Sequence, residues 1–199
     1  MKIDIRHNFK DVQKSLDNMQ AEVRDRALAS AVNKTVDQAK TQMIRQITSE
    51  YMVSAAYVRE RLKVKRASFR QGQFLIQAVL DGSGNKPSAN IIAFIEKSVS
   101  MAQAKKRQKA GTLKQLFVKV KRGGPTKPLG PAFIGNKGRT VFVREGKDRL
   151  PIKPVQTINI RQMFNQRKIN ATVVRMMTEK FPELFAREAK FFLDKFNKR

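Results

Sequence analysis

Apolar residues recur along the first quarter of the chain at spacings of three and four. Val12, Leu16, Met19, Val23, Ala27 and Ala31 form one stripe, and Val32, Val36, Ala39, Met43 and Ile47 continue it on a slightly rotated face. This period predicts helix over 9–48. No Gly or Pro interrupts the chain from Asn8 up to Gly72. An unbroken helix of about 40 residues is roughly 60 Å long, more than a small core covers. Either it breaks, with a kink near Ala29–Ser30, or part of it packs on a neighbouring subunit.

The period then changes. Ser54 is a predicted N-cap for a short helix over 54–62. Lys63–Arg66 alternates, and Gly72–Leu80 has the composition of an apolar strand. Asp81–Pro87 is turn chemistry. Ile91–Ile95 is too short to be assigned to strand or helix. Residues 97–112 lack apolar periodicity and are predicted to be a basic loop. Leu116–Lys121 predicts a strand that alternates from Phe117 onward, and Gly123–Pro131 is incompatible with helix or central strand. Ala132–Ile134 and Thr140–Arg144 flank Gly135–Arg139 as a hairpin. Ile152–Ile160 predicts a further strand, with Pro154 placing it at an edge or bulge. Ile160, Met163, Phe164, Ile169, Val173, Val174, Met176 and Met177 return to helical spacing. Pro182 is predicted to open a new helix, whose stripe is Phe181, Leu184, Phe185, Phe192 and Phe196, widened by Phe191.

The order is therefore a helical arm (1–62), a sheet region (63–160) carrying a basic loop (97–130), and C-terminal helices (161–199). This is one α+β domain with a long N-terminal helix and a central antiparallel or mixed sheet. The Phe stripe reads as core or subunit interface rather than a base-stacking platform.

Charge sharpens this division. The chain carries a net charge of +26. Five basic side chains fall in 61–80, thirteen in 97–144 and six in 149–178, and none of these three stretches contains an acid. The flanks, 1–60 and 179–199, each carry a net of only +2. Such segregated self-repulsion calls for an anionic partner: nucleic acid, an acidic protein surface or an anionic membrane. Lys105, Lys106, Arg107, Lys109, Lys119, Lys121 and Arg122 are the candidate contacts. They would position phosphates without reading sequence.

Catalytic chemistry finds little support. Absence of Cys removes disulfides, thiolate metal sites and cysteine nucleophiles. His7 is the single histidine, a poor start for a zinc site or an acid–base pair. Asp81, Glu96, Glu145 and Asp148 are scattered, so a nuclease-type carboxylate cluster is not expected. The glycine-rich turn 82–86 lacks the Lys-Ser or Lys-Thr of a phosphate loop. No stretch reaches membrane-spanning length, and Met1–Arg6 opens without an apolar signal segment. No enzyme activity, cofactor or metal is expected.

Three features resemble the phage minor tail protein Z family of lambda-like tails. They are Ala31-Val32-Asn33-Lys34-Thr35 in the first helix, the basic run Val58–Ala67, and a series over the second half. That series is Gly130-Pro131-Ala132-Phe133-Ile134, Val141-Phe142-Val143-Arg144, and Leu150-Pro151-Ile152 before a closing helix. The resemblance covers nearly the whole length. It implies a virion protein assembled in the host cytoplasm, which completes the head-proximal end of the tail for head–tail joining. It implies a homo-oligomeric ring, a hexamer, around the DNA channel. The implied neighbours are a tail terminator or tube protein, the head–tail connector and the genome end, with no membrane. A non-viral basic nucleic-acid-binding protein is the alternative. It predicts stacking aromatics within the basic stretches, whereas Phe117, Phe133 and Phe142 read as strand core.

Overall fold

The computed structural model describes residues 21–70, 73–75, 79–81, 91–95, 106, 109–110, 116–130, 132–146 and 148–197. The predicted helical start at 9–20, the turn at 82–87 and most of the loop 97–112 lie outside the described residues.

The first stripe forms one helix, α1 (Ala21–Glu50), which runs through Ala29–Ser30 without a kink. It buries Val23, Ala27, Ala31, Val36, Ala39, Met43 and Ile47 on one face. Of the two alternatives, the break is absent from Ala21–Glu50, where α1 has a helical partner within the chain. The last helix packs along it, so small Ala27 and Ala31 meet Phe185 and Ala189 in a compact cluster. Ser54 caps α2 (Ala55–Arg59) by accepting from the Tyr57 N–H at 3.2 Å.

The strands are antiparallel and divided among small sheets. β1 (Lys63–Lys65) pairs with β4 (Val79–Asp81), and β2 (Ser68–Arg70) pairs with β3 (Gln73–Leu75). The predicted strand over Gly72–Leu80 is thus split between two pairings whose registers differ by one residue, Lys63↔Asp81 against Ser68↔Leu75. Ile91–Phe94 is a 3-10 turn, with Ile91 and Phe94 buried. β5 (Leu116–Val118) pairs with β6 (Lys127–Leu129), where Pro128 is tolerated because β6 has β5 as its only strand neighbour among the described residues. β7 (Ala132–Gly135), β8 (Thr140–Arg144) and β9 (Ile152–Pro154) form a three-stranded sheet. Its first hairpin turns at Asn136, Lys137 and Gly138, all at positive φ.

Two C-terminal predictions are corrected. The strand predicted to Ile160 ends at Pro154, on the edge as expected. Asn159 instead forms a capping box with Gln162 and starts α3 (Ile160–Phe164). Nor does Pro182 open a helix. It lies inside α4 (Arg167–Asn197), which starts after the Asn165 C-cap of α3. An interior proline removes one backbone hydrogen bond and costs about 3 kcal/mol. Burial on both sides of it offsets that cost. Ile169, Val173 and Met177 seal the main core before Pro182, and Leu184, Phe185 and Ala189 are buried after it.

The main core joins all three regions of the chain. Met43, Ile47 and Tyr51 pack with Phe94, with the inward residues of β5, β7 and β8, and with Met163, Phe164 and Val173. Each such buried side chain contributes about 1.5–3 kcal/mol.

Candidate nucleic-acid interface

Side chains alternate across a strand, so burial of one set fixes the direction of the other. In β5, Leu116 and Val118 are buried and Phe117 is 48% exposed. The same alternation carries on past the strand to Lys119 and Lys121, half-buried and exposed respectively. Across the ladder, Phe117 faces Pro128 and Val118 faces Lys127, both β6 residues being exposed. Phe117 therefore stands with Pro128 on the outer side of a small sheet, with Lys119 and Lys121 following on that side.

The next sheet repeats the arrangement. Ile134 and Val141 are buried, whereas Phe133 and Phe142 are half-buried on the opposite side. Their rings stack at 5.9 Å with an interplanar angle of 28°. The Arg144 guanidinium lies 5.4 Å from the Phe133 centroid, within cation–π range. Gly135 makes room for this stack, since a Cβ there would come within 2.9 Å of the Phe142 ring. The turn that follows exposes Lys137 and Arg139.

The reading of Phe117, Phe133 and Phe142 as strand core is thus corrected: all three alternate with the core residues of their strands. The signal was present in Phe117-Val118-Lys119-Val120-Lys121, where the alternation places Phe117 with the lysines.

The cations named from sequence fall into different environments. Lys105 and Arg107 lie outside the described residues. Lys106 and Lys109 are exposed, and the Ala110 N–H bonds the Lys106 carbonyl at 3.0 Å. Lys119, Lys121 and Arg122 run beside the end of α1. Met52 N–H donates to the Val120 carbonyl at 2.9 Å, and Lys121 forms a β-bridge with Tyr51. Arg122 has a structural task there. Its backbone N–H bonds the Glu50 carbonyl at 2.9 Å and its Nε bonds the Thr48 carbonyl at 2.6 Å. These are orphan carbonyls of a helix whose last turn contains no basic residue, and a cation suits that end of the dipole.

The basic segment Arg61–Ala67, which contains β1, is held by α1 and α2. The Asn33 side chain accepts from the Ala67 N–H at 2.8 Å and donates to the Ala67 carbonyl at 3.0 Å. Arg66 grips Asp37 through two contacts, at 2.8 and 3.0 Å. Arg61 lies 3.6 Å from the Tyr57 ring centroid. Burial raises the Tyr57 pKa, and the Arg61 charge acts in the opposite sense.

The seam of the helical pair holds a buried carboxylate whose bonds are satisfied within the chain. Glu188, 4% exposed, accepts from Lys34 Nζ at 2.6 Å, Ser30 Oγ at 2.8 Å and Arg187 Nε at 3.4 Å. Burial alone pushes its pKa up, but the bonds from Lys34, Ser30 and Arg187 and the Lys34 charge outweigh that, so the net direction is down. Of the apolar candidates on α4, Leu184 and Phe185 are buried within the chain, and Phe181 and Phe192 pack partly against the cluster with Ala27 and Ala31. Phe196 is 44% exposed, and Phe191, which meets Phe192 edge to face, is also exposed.

Cations and aromatic faces can hold phosphates and stack bases. Among the described residues, no group of three His, Cys, Asp or Glu converges to hold a metal, and no helix is long and apolar enough to cross a membrane.

The family described as "Prophage minor tail protein Z" matches residues 9–199. No curated protein and no solved structure gives a significant match.

Proposed function

The chain belongs to the prophage minor tail protein Z family, a structural protein of the phage tail, and on that premise we propose that it completes the head-proximal end of the tail as a ring around the DNA channel. In this reading the ring is a hexamer. It meets a tail terminator or tube protein on one side and the head–tail connector on the other, and its basic sheet surface faces DNA. The division of charge carries the proposal. The helical pair settles its buried carboxylate internally through Lys34 and Ser30, whereas the sheets turn Lys121, Lys127, Lys137 and Arg139 to solvent. Cations arranged around a channel hold DNA through its phosphates. Copies closing into a ring need complementary, non-identical faces, and Phe192 and the exposed Phe196, one turn apart near the end of α4, offer an apolar one.

Electron microscopy of virions with the chain tagged tests the placement. The proposal expects density at the junction of tail and head with rotational symmetry. Label along the tail tube or at its distal tip contradicts it. A second reading sets the basic surface against acidic neighbouring proteins. In that case isolated chain binds those proteins but shows no salt-dependent DNA binding.

A further inference from the structure

We infer that the outer face of β5–β6 is a binding site for single-stranded nucleic acid, with Phe117 as a base-stacking platform and lysines as phosphate contacts. The inference deepens the DNA-facing reading above and rests on it. Contacts to a duplex backbone need cations alone. An aromatic ring left 48% exposed adds nothing to phosphate binding, and in a duplex the base faces are already stacked on one another. An unpaired strand offers both groups, phosphates along its backbone and free base faces. Aromatic platforms set in cationic grooves bind such strands with little sequence preference.

The geometry suits that ligand. Phe117 sits opposite Pro128 in the ladder, so its neighbour across the strand is a rigid apolar ring. Lys119 and Lys121 continue the same side of the chain, whereas Lys127, opposite the inward Val118, belongs to the other side. Among the described residues neither Lys119 nor Lys121 is ion-paired. The stretch 97–144 contains no acidic residue that could repel a phosphate. The Phe133–Phe142 stack with Arg144 against it shows the same pairing of ring and cation on the neighbouring sheet. An acidic peptide would use the lysines but has no flat π-face for Phe117.

The test is fluorescence anisotropy of the full chain with labelled oligothymidylate of about 20 nucleotides, long enough for one site, and with a blunt duplex of equal length. Phe117→Ala is expected to weaken single-strand binding by about 5- to 100-fold, the size of one lost stack, and to leave duplex binding unchanged. Phe117→Trp should retain or strengthen it. Because Phe117 lies outside the core, thermal melting should match the parent and so exclude misfolding as the cause. Equal losses on both ligands, or no loss on either, overturn the inference. So does loss of self-association with intact single-strand binding, which makes Phe117 a subunit contact. Joint substitution of Lys119 and Lys121 by Gln separates the two levels. If it weakens duplex binding while Phe117→Ala is silent, the stacking site alone falls. If it changes neither ligand, the DNA-facing reading falls as well.

Discussion

The pair α1–α4 and the small sheets answer the same problem, a large excess of positive charge, in opposite ways. The helices lie side by side, and a buried carboxylate at their seam takes hydrogen bonds from Ser30, Lys34 and Arg187. The sheets put Leu116, Val118, Ile134 and Val141 into the core and leave aromatic rings and cations outside. The comparison teaches that net charge alone does not locate a functional surface. What does is whether the fold has already given the charges partners. At the seam of the helical pair, around Glu188, it has; on β5–β6 it has not.

That contrast can be broken from either side. The largest effect is expected in the helical pair. Phe185→Ala removes a ring that is 2% exposed from the cluster with Ala27, Ala31 and Ala189. It should cost about 3–5 kcal/mol, measured by denaturant unfolding. A cost under about 1 kcal/mol would mean that the helices do not pack as described.

Asn33→Ala tests the link between the two regions. It removes both bonds to the Ala67 backbone and should cost about 1–3 kcal/mol. Hydrogen exchange should show faster opening of the hairpin from Lys63 to Asp81 than of α1.

The third expectation concerns pH. The folded-state pKa of Glu188 is lowered from the ordinary 4.5, so its contribution is present above the unfolded value and is lost as pH falls through the folded one. Thermal melting should therefore lose stability below about pH 4.5, and Glu188→Gln should flatten that dependence. An unchanged acid limb in the variant contradicts the assignment. The smallest effect belongs to the sheet: Phe117→Ala should shift stability by under about 0.5 kcal/mol, although it alters binding.

Much of this was legible in the sequence, and the failures have physical causes. The stripe from Val23 to Ile47, the Ser54 cap, the hairpin around Gly135–Arg139 and the edge position of Pro154 follow from local periodicity and turn chemistry. Two features were set by tertiary contacts instead. Burial of α4 on both sides of Pro182 overrides its preference for a helix start. The split of Gly72–Leu80 between two registers depends on pairing with Lys63–Arg70, which composition does not reveal. At the candidate interface, the lysines stood out by charge, but Arg122 could not be known as a cap for α1 without seeing Thr48 beside it. Phe117 faces outward although a hydrophobic strand residue is expected in the core, and its alternation with Lys119 and Lys121 is the sequence signal for that direction.

Salt dependence of duplex DNA binding tests most directly whether the unpartnered surface is where the anion sits. Replacing Lys121, Lys127 and Lys137 by Gln should reduce the log–log slope by about 2–3, at roughly 0.9 per phosphate contact. Replacing Arg24, Lys180 and Arg187 on the helical pair, whose charges already meet Asp25, Glu183 and Glu188, should leave it unchanged. Equal reductions in both variants, or a reduction confined to the helical set, would contradict the account.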